Sequence, residues 1–145
     1  MLCLVVVDLW LDLDSGEIKL DRAVIAADAG LIINPDGLSN QLEGGFVFSA
    51  SMTLNEKVKF DSSGINSKDW DSYPILKFPN APVIKVILIN RRDKPSVGSG
   101  EAAQGPTAAA IANALFDAGG FRLREIPFTP DRVLKALNSK KDLPS

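Results

Sequence analysis

The stretch that decides the expected fold is LCLVVVDLWLDLDSGEIKLDRAVIAAD, residues 2–28. Over residues 8–14 leucine alternates with aspartate or tryptophan, which is the period of a half-buried strand. The next residues, Asp14-Ser15-Gly16-Glu17, have the composition of a turn, with Gly16 available for positive φ. Residues 17–28 are rich in Ile, Leu, Val and Ala and predict a returning strand. The stretch therefore predicts a β-hairpin over about residues 3–28.

The apolar run at residues 2–11 is interpreted as a strand rather than a signal peptide or membrane span. It contains Asp8, has no basic residues before it, and is too short to cross a bilayer. We therefore do not expect a transmembrane chain. A start directly in a strand also suggests that the natural chain began earlier, or that a partner supplies what lies upstream.

Three helices are predicted after the hairpin. Asn34-Pro35 combines an N-cap residue with a proline at the first helical position, and apolar residues then recur at helical spacing. Thr129-Pro130 repeats this start signal, and Gly119-Gly120 is a typical helix end. The helices are expected over residues 35–54, over residues 106–118 and from residue 130 onward.

Further strands and loops complete a single domain. A short strand is expected at residues 57–60 and a buried strand at residues 83–89, of whose seven residues only Lys85 is polar. Residues 61–73 and 91–105 are expected to be loops because they are rich in polar residues, Gly, Ser and Pro. No repeat or linker divides the chain, so the fold class is α+β. We expect one domain over residues 1–145, with an N-terminal β-hairpin, further strands and three helices.

The composition excludes several function classes. The net charge of −2 and the absence of a basic cluster give no reason to expect a nucleic-acid partner. Without histidine, Ser-His-Asp and Cys-His catalysis cannot occur within the chain. The single cysteine, Cys3, rules out an internal disulfide and a self-contained iron–sulfur site, and it is interpreted as a buried core residue. No metal-ligating residue is predicted in the chain, so redox metal chemistry would need a cofactor held largely by backbone and amide groups, or ligands from elsewhere.

Glu101 is the first candidate for a catalytic residue. Gly98 and Gly100 let the backbone turn sharply and approach a ligand, and the helix start that follows offers free N–H groups. A carboxylate in such a loop, shielded from water, could act as a general base. The alternative is a surface glutamate that helps to cap the helix. Taken alone, the residue favours the cap.

Other polar residues give weaker signals. Gln41 lies beside Gly44-Gly45, where an amide could bind a polar ligand lying against the glycines. A helical glutamine on a solvated face is the alternative. Trp70 and Tyr73 could line a pocket, although a loop packed down by its aromatic residues is the simpler interpretation.

Five motifs that occur in order along the chain favour the functional interpretations of Glu101 and Gln41 over the structural ones. They are Ile33-Asn34-Pro35, Gln41-Leu42-Glu43-Gly44-Gly45, Asp71-Ser72-Tyr73-Pro74, Gly98-Ser99-Gly100-Glu101 and Ala109-Ala110-Ile111-Ala112-Asn113-Ala114. Together they resemble the C-terminal region of the molybdopterin-binding subunits of the xanthine dehydrogenase and aldehyde oxidase family. The isoquinoline 1-oxidoreductase and nicotinate dehydrogenase branch is the most similar. The likeness covers nearly the whole chain.

The resemblance implies roles for particular residues. Glu101 matches the glutamate that family members place beside the molybdenum, a general base in the hydroxylation of an aldehyde or N-heterocycle with water as the oxygen source. Gln41 matches a glutamine that contacts the pterin. Gly44 and Gly45 are expected to lie against the cofactor, and Gly100 to let the glutamate approach it.

Two departures from the family pattern stand beside these matches. Family members commonly have proline after the glutamate, and this chain has Ala102, so the loop is expected to be less rigid. Many members have glutamine where this chain has Phe48, and an apolar ring cannot make the hydrogen bonds of an amide.

The resemblance also implies a cofactor and partners. The cofactor is molybdopterin with molybdenum, the cytosine dinucleotide form being one alternative, and its binding is expected to need the upstream part of the molybdenum subunit. An iron–sulfur subunit is the second expected partner. The cytoplasm is the favoured location, with a periplasmic or membrane-associated site as the alternative.

Three hypotheses remain from the sequence. The chain is part of a molybdenum hydroxylase and is inactive alone, or it is a non-catalytic fragment that folds and self-associates without cofactor. Strand pairing at residues 2–11 and the small-residue helix at 106–118 would serve such self-association. An unrelated α+β binding domain is the third.

Overall fold

The computed structural model describes residues 1–141, with side chains described through residue 139. The last four residues of the predicted domain, 142–145, lie outside this range. The observed order is two long strands, a helix, a small two-stranded ribbon, a third long strand and two helices. The predicted α+β class with an N-terminal hairpin, further strands and three helices is confirmed.

A three-stranded mixed sheet forms one layer of the molecule. Strand β1 (Leu2–Leu11) pairs antiparallel with β2 (Ile18–Asp28), which pairs parallel with β5 (Val83–Ile89). Gly16 has a φ of +76° in the β1–β2 turn, a conformation that glycine adopts without strain. Asp12 closes this turn, because its carboxylate accepts hydrogen bonds from two following backbone N–H groups. The predicted hairpin is therefore present.

Three helices begin and end close to where the local signals place them. Asn34 caps α1 (Pro35–Leu54), its side-chain oxygen accepting a hydrogen bond from Gly37 N at 2.9 Å. Helix α2 (Gln104–Gly119) starts two residues before the predicted Pro106, and its C-cap is Gly120, whose φ is +68°. Helix α3 spans Pro130–Lys141.

The core lies between the sheet and the helices α1 and α2. Val7 and the alternate residues Ala23, Ile25 and Ala27 of β2 point to this inner face. Helix α2 packs on β1 and also against α1, which crosses the sheet beside it. The largest fully buried apolar side chains are Phe46, Ile25, Leu42, Ile111, Leu115 and Val133. These two helices therefore fix the position of the loops at the β5–α2 end of the sheet.

The opposite face of the sheet is open to solvent. Leu4 is 72% exposed and Val6 is 63% exposed, and Leu2, Trp10 and Val83 are also exposed. The prediction that residues 83–89 form a buried strand is correct for the strand and wrong for its burial. Strand β5 is an edge strand whose residues alternate between partly buried and exposed, because helices cover only one face of the sheet.

The segment between α1 and β5 differs from the prediction. Strand β3 (Phe60–Asp61) pairs antiparallel with β4 (Gly64–Ile65). A longer strand was expected at residues 57–60, but of these residues only Phe60 is in a strand. A 3-10 turn follows at Phe78–Asn80. Tyr73 donates its hydroxyl to the Glu56 carboxylate at 2.7 Å, whereas Trp70 is 71% exposed. The tyrosine therefore helps to fasten this segment, and Trp70 does not pack it down.

Candidate functional site

The loop that carries Glu101 is attached to the turn after β2. Arg91 N donates to Gly30 O at 2.9 Å, and Val97 N donates to Ala29 O at 3.0 Å. Gly30 has a φ of +73°, and a Cβ atom there would overlap the carbonyl oxygen of Pro95. A glycine is therefore required where the two segments cross, and this crossing brings the next residues of the loop to the start of α1.

Glu101 lies exposed in the turn that leads into α2. Its carboxylate makes no hydrogen bond or ion pair with any group in the described part of the chain. The N-cap of α2 is Ala103, which has no side-chain cap hydrogen bond. Glu101 therefore makes no capping hydrogen bond, and its carboxylate is available to a group outside this chain.

Gln41 meets the Glu101 turn directly. Its side-chain amide Nε2 donates to the carbonyl oxygen of Gly100 at 2.6 Å, although the two residues are 59 positions apart. Helix α1 provides this contact from the turn after its N-terminus. Two motifs that the sequence suggested separately therefore form one site.

Four consecutive backbone donors add to this site. The N–H groups of residues 98–101 donate to no acceptor among the described residues. Two other backbone hydrogen bonds close the turn: Ala102 N donates to Ser99 O at 3.5 Å, and Gln104 N donates to Glu101 O at 3.1 Å. Exposed, unpaired N–H groups in a glycine-rich turn suit an anionic or carbonyl-bearing ligand.

Two open depressions flank the turn. One, of about 410 Å³, is lined by residues that include Asn34, Gln41, Ser96 and Ser99. The other, of about 370 Å³, is lined by residues that include Cys3 and Glu101. Cys3 is half-buried rather than fully buried as expected, and its burial raises the pKa of the thiol. The Glu101 turn thus separates two depressions that are open to solvent.

The two glycines of α1 have different environments. A Cβ atom at Gly44 would meet nothing within 4 Å, so Gly44 lies on the open face with Gln41. Gly45 is buried, and a Cβ atom there would lie 3.6 Å from the Cβ of Ala103. The structure brings Gln41, Gly44, Gly100 and Glu101 to one surface and places Gly45 in the contact between α1 and the start of α2.

Phe48 continues the open face of α1. It follows Gly44 by one helical turn and is 54% exposed. The next residue on this face, one turn later, is the exposed Met52. Beyond Gly44, the exposed side chains on this face of α1 are therefore apolar.

Ser49 is a site-forming residue that the sequence reasoning missed. It is buried, and its hydroxyl donates to Gln104 O at 2.9 Å. A serine in the middle of an apolar helix is the signal that could have found it, because a buried hydroxyl needs an acceptor. Its partner, 55 residues away, could not be identified without the fold.

The described residues lack a metal-ligand cluster and a membrane-spanning helix. No group of three or more His, Cys, Asp or Glu side chains in this part of the chain could hold a metal ion. None of its helices combines the length and the apolar composition needed to cross a membrane.

The chain matches a known protein family and several curated proteins. Residues 1–82 match the family model described as the molybdopterin cofactor-binding domain. The chain is 47% identical over 135 residues to a nicotinate dehydrogenase subunit of Pseudomonas putida, covering 93% of this chain and 11% of that protein. It is 29% identical over 113 residues to the beta subunit of isoquinoline 1-oxidoreductase of Brevundimonas diminuta, covering 78% of this chain and 14% of that protein.

Solved structures show the same fold. Quinoline 2-oxidoreductase from Pseudomonas putida 86 superposes with a TM-score of 0.82 at 23% identity, over 94% of this chain and 18% of that one. Aldehyde oxidoreductase from Desulfovibrio gigas gives a TM-score of 0.79 at 26% identity, over 90% of this chain and 15% of that one. The chain spans less than a fifth of the length of these relatives. It belongs to the molybdopterin cofactor-binding domain family, within the xanthine dehydrogenase and aldehyde oxidase group of molybdenum enzymes.

Proposed function

We propose that this chain is part of a molybdenum-dependent hydroxylase that oxidises an aldehyde or an N-heterocycle with water as the oxygen source. Glu101 is the proposed general base. The observation that carries the proposal is the hydrogen bond from Gln41 to Gly100 O, since it joins the two motifs into one open, polar surface. The Glu101 carboxylate projects from that surface without a partner in the described chain.

The donors on this surface fit the edge of a pterin. Gln41 offers an amide, residues 98–101 offer unpaired backbone N–H groups, and Gly44 leaves open space beside them. Carbonyl, ring-nitrogen and phosphate acceptors of the cofactor require this kind of donor. Gln41, Gly44 and Gly100 are the proposed contacts, and Gly45 supports them from within the helix packing. The cytosine dinucleotide form is one alternative for the cofactor.

Bound molybdopterin would supply the two-electron redox chemistry that the chain itself lacks. The overall change is R–H + H₂O → R–OH + 2H⁺ + 2e⁻. In this change Glu101 accepts, at a carboxylate oxygen, the proton released as the oxygen of water becomes nucleophilic. A carboxylate placed within hydrogen-bond reach of that oxygen lowers the barrier to its attack on the electron-poor carbon.

The proposed substrate class follows from the relatives. They include a nicotinate dehydrogenase, an isoquinoline 1-oxidoreductase and an aldehyde oxidoreductase. The compounds in these names share a carbon made electron-poor by a ring nitrogen or a carbonyl oxygen. We propose this class for the enzyme to which the chain contributes, with nicotinate as the first compound to assay because that relative is the most similar of the three.

The rest of a molybdenum subunit is the proposed principal partner. Glu101 is exposed here, and a general base of this kind must be shielded from bulk water by other parts of the protein. The outer face of the sheet, with Leu4 and Val6, offers an apolar surface for such contacts. An iron–sulfur subunit is the proposed electron acceptor.

One observation favours a second candidate function. The same apolar outer face, together with the free edges of β1 and β5, could pair with a second copy of the chain. The alternative is therefore a non-catalytic fragment that folds and self-associates without cofactor.

Cofactor content separates the two candidates. The chain is produced alone and as a chimera, in which it replaces the matched region of the Pseudomonas putida nicotinate dehydrogenase subunit and is co-expressed with that enzyme's partner subunits. Molybdenum and pterin are then measured in each purified sample. We expect both in the chimera at near-stoichiometric levels and neither in the chain alone. A folded, assembled chimera that carries neither would refute the enzyme proposal and favour the fragment.

A further inference from the structure

Helix α1 touches the Glu101 turn and the start of α2 at three points spaced one helical turn apart. Gln41 donates to Gly100 O, Gly45 packs against Ala103, and Ser49 donates to Gln104 O. Residues at this spacing lie on one side of a helix, so a single stripe of α1 follows the backbone from the turn into α2. We infer that Gln41 is a positioning residue, which holds the Glu101 turn against α1 and thereby sets where the carboxylate lies.

Few contacts besides this one hold the turn: Ala102 packs partly against the core, and its N–H donates to Ser99 O within the turn. Residues 90–97 are fixed by bonds to the turn after β2, and Ala103, the residue before α2, is buried. Apart from the helix that follows, the Gln41 amide is the only described group whose hydrogen bond reaches residues 98–102. The glycines at 98 and 100 have open space around them and add no packing of their own.

Alanine after the glutamate makes the contact more important. A proline at that position would fix φ and restrict the residue before it, whereas Ala102 does neither. The hydrogen bond from Gln41 acts on the residue before Glu101 instead. A 2.6 Å bond to the Gly100 carbonyl restrains the peptide plane that precedes the glutamate. The inference rests on the proposed function only for the catalytic consequence, since the positioning itself is a property of this chain.

Amide order in the free chain tests the positioning. Gln41→Met keeps the length and helix propensity of the side chain and removes the donor, whereas Gln41→Lys keeps a donor. In the ¹⁵N-labelled chain we expect Gln41→Met to lower the order parameters of residues 99–101 from about 0.85 to below about 0.6, and Gln41→Lys to restore them. Ser49→Ala is the matched control, because it removes a bond from the same helix to Gln104 instead and should leave residues 99–101 ordered. Unchanged order in Gln41→Met would overturn the inference.

Turnover in the chimera tests the catalytic consequence. We expect Gln41→Met to reduce kcat, expressed per molybdenum bound, roughly tenfold to a hundredfold, and Gln41→Lys to recover most of it. A loosened turn with full turnover would show that the position of the turn is not needed for catalysis and would overturn the role. An inactive parent chimera would instead count against the proposed function, and the amide order would still decide whether Gln41 holds the turn.

Discussion

At the scale of single residues, the candidate site depends on contacts that no local pattern contains. Glu101 could be identified from its glycine-rich setting and from the resemblance of its loop. The absence of a capping hydrogen bond from Glu101 could not be identified, because the cap of α2 depends on where the helix starts in three dimensions. The sequence suggests Gln41 as a ligand-binding residue, and the structure adds its hydrogen bond to Gly100 O. Long-range partners of this kind require the fold.

Gly44 and Gly45 allow a prediction that distinguishes packing from ligand binding. Gly44→Ala should stabilise the free chain by about 1 kcal/mol, because alanine favours a helix interior and the added methyl group meets nothing. In the chimera the same methyl group would occupy the space beside the cofactor and lower the pterin content severalfold. Urea unfolding of the chain and pterin analysis of the chimera measure these effects.

Gly45→Ala is the control for that experiment. Its methyl group would make ordinary contacts of 3.6 to 3.9 Å with Ala103 and Gln104, so the helix should tolerate it and the pterin content should remain unchanged. A loss of pterin in Gly45→Ala equal to that in Gly44→Ala would contradict the assignment of Gly44 to the open face.

At the scale of elements, the three long strands and the helices followed their sequence signals closely, whereas the strand expected at residues 57–60 did not. Turn chemistry at Gly16, the Asn34 cap and Gly120 placed three boundaries correctly, since each signal acts over a few residues. The burial of β5 could not be predicted from its composition. An apolar strand is typical of a sheet covered on both faces, and here the second cover is missing from the described chain. The apolar outer residues therefore indicate a surface for further protein.

The open face of α1 allows a prediction about Phe48. Replacing Phe48 by Gln adds amide donors one helical turn from Gly44, and the exposed ring contributes little packing that could be lost. The Phe48→Gln chimera should retain more pterin than the parent during gel filtration. Met52→Gln, one turn farther along the same face, is the control and should have no effect. Equal pterin retention in the parent and Phe48→Gln would mean that this position does not face the cofactor.

At the scale of the whole molecule, the outer face of the sheet exposes apolar side chains of the kind found in protein interiors. The inner face of the sheet is covered by α1 and α2, while the outer face exposes Leu4 and Val6. The chain spans less than a fifth of the length of its relatives, so more protein is available in them to cover such a face. The sequence predicted the family and the α+β class, whereas which face remains open became evident only from the sheet topology.

This open face predicts concentration-dependent association of the free chain. Light scattering after gel filtration should show species larger than 15.6 kDa at high concentration. The double substitution Leu4→Lys and Val6→Lys should shift the chain to monomer, because it places two charges on the apolar face. Phe78→Lys is the control, since it changes the most exposed apolar side chain of another segment. A parent chain that stays monomeric at every concentration would contradict self-association through the sheet.

We propose that this chain contributes the general base of a molybdenum hydroxylase. The most direct test is turnover of the Glu101→Gln chimera with nicotinate, compared with Glu17→Gln as a control for an exposed carboxylate far from the site. We predict a loss of about 10²- to 10⁴-fold in Glu101→Gln, with molybdenum and pterin content equal to the parent, and no loss in Glu17→Gln. Undiminished turnover in a fully loaded Glu101→Gln enzyme would contradict the claim.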